Sequence, residues 1–386
     1  NALGGISQSG ETPHAAICFP YKKEDLPMTK EYSWMLGPFE KAAEANPCLV
    51  PNAVSRFFCP VQEKELGWEA KDVFNPAAVV KDDRVYLLYR AEDHEGKYAG
   101  TSRIGLAVSD DGLHFTTMPE PVLYPEKDEF SVYEWEGGCE DPRIVETKDG
   151  RYFLYYTSYN GKVALLCCAE STDLVHWKKH GPIFKDAMNG KYKNLWSKSG
   201  AVVCRQEGDH FYPVKLKETY WMYWGESDIY AATSDDLIHW TPVEFLADGA
   251  DPSHSFSQHD SRCKDNDEVA RVLLPIIRPR VGNYDEFLCE PGPQAILTDA
   301  GIVLIYNGKG DNPERLGGHD TMYQGGQLLI DPENPTCLIA RTTRPFISPS
   351  ESFELEGQVM PTCFLEGLVS FHGRYYMYYG TADSKV

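Results

Sequence analysis

The sequence lacks a long apolar run and lacks a surplus of basic charge. No stretch approaches the ~18 apolar residues that a membrane-spanning helix needs. The 37 Lys and Arg residues are outnumbered by 58 Asp and Glu residues, which gives a formal net charge of −21 at pH 7. Nucleic acids, anionic membranes and polyanionic substrates favour basic surfaces, so the composition disfavours all three and is compatible with a neutral ligand. We predict a soluble globular protein that binds no nucleic acid and does not span a membrane.

The sequence also lacks cysteine spacing of any metal-binding or disulfide type. Its eleven cysteines are scattered, with no CxxC pair and no Cys/His grouping. We therefore predict mostly buried thiols, no metal site and no cofactor. This cysteine usage indicates a reducing compartment, whereas a chain that begins at Asn1 and not at Met indicates a removed leader. The compartment stays open, with export to the periplasm or cell surface favoured over the cytoplasm.

Helical periodicity is lacking too, but short aromatic or apolar strands recur. Regular strands with a long period are typical of radial repetition, and a two-halved β-sandwich does not explain five copies in one order. We predict an all-β fold, a five-bladed β-propeller, as a single domain over residues 71–386 with an N-terminal extension over residues 1–70. The five segments begin about 70 residues apart: 84–91 (RVYLLYRA), 151–158 (RYFLYYTS), 219–226 (TYWMYWGE), 301–308 (GIVLIYNG) and 374–381 (RYYMYYGT).

Three of these units continue into a Ser/Asp turn that is followed by His and an aromatic residue. Because these histidines, His114, His176 and His239, repeat with the units, we predict that they are structural. The polar stretch 248–268 lengthens the spacing between the third and fourth units, which predicts a loop on a propeller face. The histidines in that stretch match no ligand spacing for a metal.

The propeller prediction implies where the functional residues meet. Blades surround a central channel with their innermost strands. Polar residues that begin each unit, or that end each aromatic strand, are therefore expected at one end of the channel. The residues predicted there are Asn75, Arg90, Asp93, Asp141, Tyr156, Lys198, Glu226, Glu290, Asn307 and Asp383.

Carboxyl groups with a few cations and aromatic walls suit the cleavage of glycosides. That reaction needs one carboxylic acid to protonate the leaving oxygen and a second group as base or nucleophile. Two crowded carboxyl groups split their pKa values, so that one is protonated and the other ionised near neutral pH. Asp141, Glu226 and Glu290 are the candidates for these catalytic roles.

Four short motifs stand at the starts of units or the ends of aromatic strands: residues 137–143 (GGCEDPR), 73–77 (VFNPA), 89–93 (YRAED) and 378–383 (YYGTAD). The first looks like the signature G-x-E-D-P-R, and together they resemble glycoside hydrolase family 130, the mannoside phosphorylases and related mannosidases. The resemblance implies a five-bladed propeller and a β-mannoside substrate.

The resemblance also implies roles for single residues. It makes Asp141 the proton donor. The predicted ligands of sugar hydroxyl groups are Asn75, Arg90, Asp93, Arg143 and Asp383, with Tyr156 and Asn307 lining the pocket and Lys198 contacting sugar or remaining from a phosphate site. The alternative interpretation is that these side chains form structural hydrogen bonds between blades, for which the planar guanidinium of Arg90 is suited.

Two departures from the family pattern favour hydrolysis over phosphorolysis. Phosphorylases of the family have a small residue where Glu290 stands and a His where Asn307 stands, and Glu226 adds a further carboxylate. Carboxylates repel a phosphate dianion but can activate water. We predict an inverting, exo-acting β-mannosidase that acts on β-1,2-linked mannose in a mannose-containing oligosaccharide. The alternatives are a phosphate-dependent mannoside phosphorylase, a non-catalytic carbohydrate-binding propeller and an arabinosidase-like hydrolase. The oligomeric state stays open.

Overall fold

The computed structural model describes residues 33–98, 100–244, 273, 275–311 and 321–386. Over this part of the chain the fold is almost entirely β, which confirms the all-β prediction. The only described helices are the single turns α1 (Ser131–Glu134) and α2 (Ser352–Leu355). No helix in the described ranges is long and apolar enough to cross a membrane.

The strands follow the predicted order of repeated units. The early strands are β1 (Phe57–Cys59), β2 (Lys64–Leu66), β3 (Asp72–Lys81), β4 (Arg84–Glu92), β5 (Ser102–Ser109), β6 (Thr116–Thr117), β7 (Gly138–Glu146), β8 (Tyr152–Tyr159), β9 (Ala164–Ser171) and β10 (Lys178–Pro182). The middle strands are β11 (Ala201–Glu207), β12 (His210–Pro213), β13 (Lys215–Leu216), β14 (Thr219–Trp224), β15 (Tyr230–Ser234) and β16 (Thr241–Pro242). The late strands are β17 (Leu288–Pro291), β18 (Ala295–Thr298), β19 (Gly301–Asp311), β20 (Thr321–Ile330), β21 (Leu338–Arg341), β22 (Cys363–Phe371) and β23 (Arg374–Thr381).

The five segments predicted as strands are β4, β8, β14, β19 and β23, with ends within three residues of the predicted ones. The sequences of these strands are apolar in continuous runs because protein covers both faces of the strands. All eight residues of β8 except the last are buried. A strand that is buried on both faces shows a continuous apolar run and no clean alternation. The tyrosines of these strands belong to this packing, as Tyr89 and Tyr155 show with no exposed surface.

Successive units pair antiparallel within themselves and meet edge to edge. Within the first two units, β3, β4 and β5 pair antiparallel, as do β7, β8, β9 and β10. Parallel pairs join neighbouring units, with Ser102 opposite Gly138 and Val203 opposite Ala295. Two of the sheets therefore continue across unit boundaries. These parallel contacts are only one or two residue pairs long. The repeated antiparallel units agree with a β-propeller, whereas the count of five blades stays a prediction.

The last hairpin lies against the first long strand and closes the order of units. Val73 N donates to Ser384 O at 3.3 Å, and Ser384 Oγ donates to an oxygen of Asp72 at 2.6 Å. The approach is close enough that a Cβ added at Gly380 would lie 2.0 Å from Asn75 Oδ1. Glycine at this position is therefore required for β23 to pack on β3.

Two predictions about chain segments stay predictions. The polar loop 248–268 lies outside the described residues. The boundary at residue 70 is not tested, although Leu36 exchanges two hydrogen bonds with the side chain of Gln327. Residues before β3 thus contact a late strand of the propeller. Nine cysteines are described, all of them free and seven of them buried, which agrees with the predicted thiols.

The Ser/Asp turn is one structure built three times. In the third copy, Asp236 Oδ1 accepts from the backbone N–H groups of Ile238 and His239, each at 2.8 Å, and Asp236 Oδ2 lies 2.8 Å from His239 Nδ1. Ser234 Oγ accepts from the N–H groups of residues 236 and 237. The same contacts occur at Asp111 with His114 and at Asp173 with His176. These histidines are exposed partners of turn carboxylates, as predicted for structural residues.

Replacing Asp236 by Ala should lower the free energy of unfolding by about 1–2 kcal/mol at pH 7, because two backbone N–H groups lose their acceptor. Burial acts to raise the pKa of Asp236, but its hydrogen bonds to His239 and the turn lower it to about 2. Since an unfolded Asp has a pKa of about 3.9, the stabilisation is complete above that pH and is lost as the pH falls through 2. Urea unfolding of wild type and variant at several pH values measures this difference.

The matched control is Asp235→Ala, because this exposed neighbour takes no part in the turn hydrogen bonds. Its effect should stay within about 0.5 kcal/mol. Equal effects of the two variants would contradict the assigned role of the turn.

Candidate active site

Two β-bulges aim the side chains of Asn75 and Asp141 at each other. The register of β3 on β4 shifts between Phe74 and Pro76, and that of β7 on β8 shifts between Glu140 and Arg143. At these shifts Asn75 has φ +50° and Asp141 has φ +47°. A bulge re-aims side chains and is common beside active sites. Asn75 Nδ2 donates to Asp141 Oδ1 at 2.9 Å, so the two units meet through these side chains.

Arg90, in β4, gathers three carboxylates around one guanidinium. Its Nη1 donates to Asp141 Oδ1 at 3.0 Å, and its Nη2 donates to Glu92 Oε1 at 2.8 Å. Glu140 Oε1 lies 3.5 Å from the same Nη2. The positive charge of Arg90 therefore offsets the negative charge of these three carboxylates, whose removal from water would otherwise be unfavourable.

The two neighbouring acids of the E-D-P-R motif respond oppositely to this environment. Burial acts to raise the pKa of Asp141, but Arg90, Lys198 and the hydrogen bond from Asn75 hold it well below its usual range. For Glu140, burial wins, so its pKa is raised despite the charges of Arg90 and Lys198. The environment therefore favours ionisation of Asp141 more than that of Glu140.

Glu290 lies in β17 and is held by the unit before it. Ser199 has φ +56°, and its hydroxyl donates to Glu290 Oε1. Glu226 follows β14, and its Oε2 accepts from Trp196 Nε1 at 2.8 Å. Burial first, and then the negative charge of Glu226, raise the pKa of Glu290 to about 7. Glu226 and Glu290 thus form an electrostatically coupled pair.

Lys198 connects the two acidic groups of the site. Its Nζ lies 3.7 Å from Glu140 Oε2. Burial acts to lower the pKa of Lys198, but the charges of Glu226, Glu140, Asp141 and Glu290 raise it above its usual value. The predicted acid and both predicted bases therefore act on a single ammonium group.

Asp383 completes the acidic cluster from the end of the chain. Burial raises its pKa to about 7, and the charge of Asp141 adds to this effect while Arg90 opposes it. Tyr323, in β20, lies among the same acids, because burial and then the charges of Glu290, Glu226, Asp383 and Asp141 raise the pKa of its hydroxyl. Seven of the predicted residues are thus brought together: Asn75, Arg90, Asp141, Lys198, Glu226, Glu290 and Asp383.

Three predicted residues lie apart from this cluster in their contacts. Tyr156 is buried in a separate hydrophobic cluster, and its hydroxyl donates to Glu134 at 2.8 Å. Asp93 pairs with Arg103 at 2.6 Å and accepts from backbone N–H groups. Asn307 exchanges hydrogen bonds with the backbone of Leu365. Their polar atoms are occupied within the protein, as the structural interpretation of these residues requires.

Arg143 also directs its guanidinium into the protein. It donates to the carbonyl oxygens of Pro291 at 2.8 Å, Asp141 at 3.2 Å and Gly292 at 3.3 Å. Its Nη1 lies 2.7 Å from Glu366 Oε1. With 2% of its surface exposed, Arg143 has little access to a sugar.

Several residues that shape the site are absent from the predicted set, among them Glu140, Ser199, Trp196, Tyr323 and Glu366. Glu140 stands inside the G-x-E-D-P-R motif beside Asp141, and Ser199 directly follows Lys198. The role of Glu140 depends on a bulge that turns adjacent side chains to different partners, and that of Ser199 on its left-handed backbone. Trp196 and Glu366 carry no pattern that distinguishes them from ordinary strand and loop residues. No group of His, Cys, Asp and Glu in the described part of the chain could hold a metal ion.

Carboxyl groups that face one site in pairs are typical of enzymes that act on glycosidic bonds. The family model Glyco_hydro_130, described as beta-1,4-mannooligosaccharide phosphorylase, matches residues 61–386. The chain therefore belongs to glycoside hydrolase family 130, as its motifs predicted.

Relatives of the chain include proteins named as phosphorylases and proteins named as glycosyl hydrolases. The 1,2-beta-oligomannan phosphorylase of Thermoanaerobacter sp. (strain X514) is 29% identical over 85% of this chain and 91% of its own length. A glycosyl hydrolase from Bacteroides ovatus is 40% identical, with a TM-score of 0.82 over 97% of this chain and 95% of its own. Another solved structure, also 40% identical with a TM-score of 0.82, covers 94% of this chain and 95% of its own. The description of that structure reads "The GH130 family of mannoside phosphorylases contains glycoside hydrolases that target beta-1,2 mannosidic linkages in Candida mannan".

Replacing Glu226 by Gln should lower the pKa of Glu290 below about 7, because a negative charge that raises it is removed. Titration of carbon-13-labelled carboxyl groups by NMR measures this pKa, with Glu290→Gln used to assign the resonance. The control Glu207→Gln changes a surface carboxylate that pairs with Lys148 and should leave the Glu290 pKa unchanged. An unshifted value in the Glu226 variant would mean that the two groups are not coupled.

Proposed function

We propose that the chain is an inverting glycoside hydrolase that releases β-1,2-linked mannose from a mannooligosaccharide by direct attack of water. The observation that carries this proposal is the charge balance of the site. Six carboxyl groups act on Arg90 or Lys198: Glu92, Glu140, Asp141, Glu226, Glu290 and Asp383. Arg143, which acts on Asp141 and Glu290, and Lys71, which pairs with Glu92, are the further cations, so the acids still outnumber them. A site of this kind suits one carboxyl group that supplies a proton and another that removes one from water.

Phosphorolysis would require a phosphate dianion inside this acidic site. An anion bound to the ammonium of Lys198 would meet the charges of Glu226 and Glu290, which act on that same ammonium. One pair of like unit charges about 4 Å apart costs about 4 kcal/mol at an effective dielectric near 20. Water pays no such electrostatic cost. The glycosyl hydrolases among the solved relatives at 40% identity support the same conclusion.

The proposed base is Glu290, with Glu226 holding the attacking water. A pKa of about 7 matches what general base catalysis needs near neutral pH. The Ser199 hydroxyl occupies Glu290 Oε1, so Oε2 is the oxygen that faces the water. In an inverting enzyme the acid and the base stand ~6.5–9.5 Å apart, which leaves room for that water.

Asp141 is the proposed proton donor, and its contacts with Arg90, Lys198 and Asn75 favour its ionised form. Its Oδ1 accepts from Asn75 and Arg90, so Oδ2 faces the leaving oxygen. A bound sugar excludes water from Asp141, and desolvation raises the pKa of a carboxyl group. The adjacent Asp383, with a pKa of about 7, is a neighbour from which a proton is available.

Incubation with β-1,2-mannobiose should release mannose at the same rate with and without phosphate. Proton NMR should show the α anomer as the first product, because inversion at a β-mannoside gives α-mannose. Mannose 1-phosphate as the main product would refute hydrolysis, and a β anomer would refute inversion.

Activated substrates should separate the acid from the base. Asp141→Asn is expected to lose at least about 1000-fold in kcat on mannobiose but to retain most activity on 2,4-dinitrophenyl β-mannoside, whose leaving group needs no proton. Glu290→Gln should lose activity on both substrates. Asp149→Asn, at an exposed turn, is the control and should behave as wild type. The reverse pattern would exchange the two assigned roles.

A further inference from the structure

One buried guanidinium connects the strand that carries Asp141 to the strand that carries Glu290. Arg143, in β7, donates to the carbonyl oxygen of Asp141 in its own bulge at 3.2 Å. It also donates across to β17 and the residue beyond it, at 2.8 Å to Pro291 O and 3.3 Å to Gly292 O. Pro291 is the residue directly after Glu290. Three hydrogen bonds therefore join the backbone of Asp141 to the backbone of the two residues that follow Glu290.

The geometry of Arg143 leaves it little capacity for a sugar. All three of its nitrogens already contact protein groups: Nε meets Gly292 O, Nη2 meets Pro291 O, and Nη1 meets Asp141 O and Glu366. Lysine cannot reproduce this pattern, because a single ammonium is a point donor whereas guanidinium is a planar fork. The arrangement thus depends on arginine and not only on positive charge.

Glu366 is the acidic partner of this arginine inside the protein. It lies at the register shift of β22 on β23, between Leu365 and Gly367, and is 1% exposed. Its Oε1 is 2.7 Å from Arg143 Nη1, but neither carboxyl oxygen forms an aligned hydrogen bond. The contact is therefore one of charge and packing. It places the Glu366 carboxyl group beside the guanidinium that donates to carbonyl oxygens of β7 and β17.

We propose that Arg143, packed on Glu366, is a positioning residue that fixes the distance between the carboxyl groups of Asp141 and Glu290. This role rests on the acid and base assignments proposed above. An inverting reaction needs a spacing that admits one water molecule. Three strands from separate units, β7, β17 and β22, meet at this guanidinium, so their relative placement depends on it.

The test compares Arg143→Lys with wild type by kcat, KM and crystal structure. We expect kcat to fall by about 100-fold, the cost of misplacing reacting groups by about 1 Å, with KM changed by less than about threefold because the groups that contact sugar are retained. The Cα–Cα separation of Asp141 and Glu290 should change by more than about 0.5 Å. Glu366→Gln, which keeps shape but removes the charge, should show a smaller fall in kcat in the same direction.

The matched control is Arg103→Lys. Arg103 is also a buried arginine, with 1% of its side chain exposed, and it donates to the carbonyl oxygen of Thr101 and pairs with Asp93. This control should lower the melting temperature but keep kcat per folded molecule. The kcat is that of whichever reaction the wild type performs, so phosphate dependence of the wild type would refute only the proposed function. An unchanged Asp141–Glu290 separation with unchanged kcat in the Arg143 variant would overturn the positioning role.

Discussion

The acidic site depends chiefly on two half-buried cations, Arg90 and Lys198. Carboxylates withdrawn from water repel one another, and a buried charge without compensation destabilises a fold by several kcal/mol. Arg90 contacts the carboxyl groups of Glu92, Glu140 and Asp141 in the early units. The ammonium group of Lys198 attracts Glu140 and Asp141, and it also attracts Glu226 and Glu290 in the later units. Without both cations, the units could not present so many acids to one place.

Burial and the surrounding charges shift the pKa values of chemically similar side chains in opposite directions. Burial acts to raise the pKa of Asp141, but three cations and an amide donor lower it. Glu290 is also acted on by two cations and a hydroxyl donor, but burial and the charge of Glu226 raise its pKa to about 7. The difference arises from packing between units and not from the residues themselves. Divergent pKa values of neighbouring carboxyl groups are the general mark of an acid–base pair.

The sequence predicted the strands better than the directions of their side chains. The segments β4, β8 and β23 follow from repetition and apolar content, which act over many residues. Tyr156 was misplaced because successive side chains of a strand point to opposite faces. A prediction that a strand ends at the site does not say which face meets it.

Hydrogen bonding to the backbone explains the other differences. Asp93 and Asn307 satisfy backbone groups whose need for a partner appears only after folding. Arg143 is part of a recognisable signature, but its partners are carbonyl groups of distant units. The cluster of carboxyl groups was predictable because a propeller brings equivalent positions of its repeated units together. Their individual contacts depend on bulges and on long-range register, which leave little trace in local sequence.

The left-handed backbone at the site has an evolutionary consequence. Asn75, Asp141, Ser199 and Asp383 all have φ between +47° and +56°, where a side chain bearing a Cβ is disfavoured relative to glycine. Glycine at any of the four would relax the main chain while deleting a polar group from the site. Selection for heat resistance alone would therefore erode turnover at these positions. Directed evolution of a more durable enzyme should hold these four codons constant and seek its gains in the outer strands.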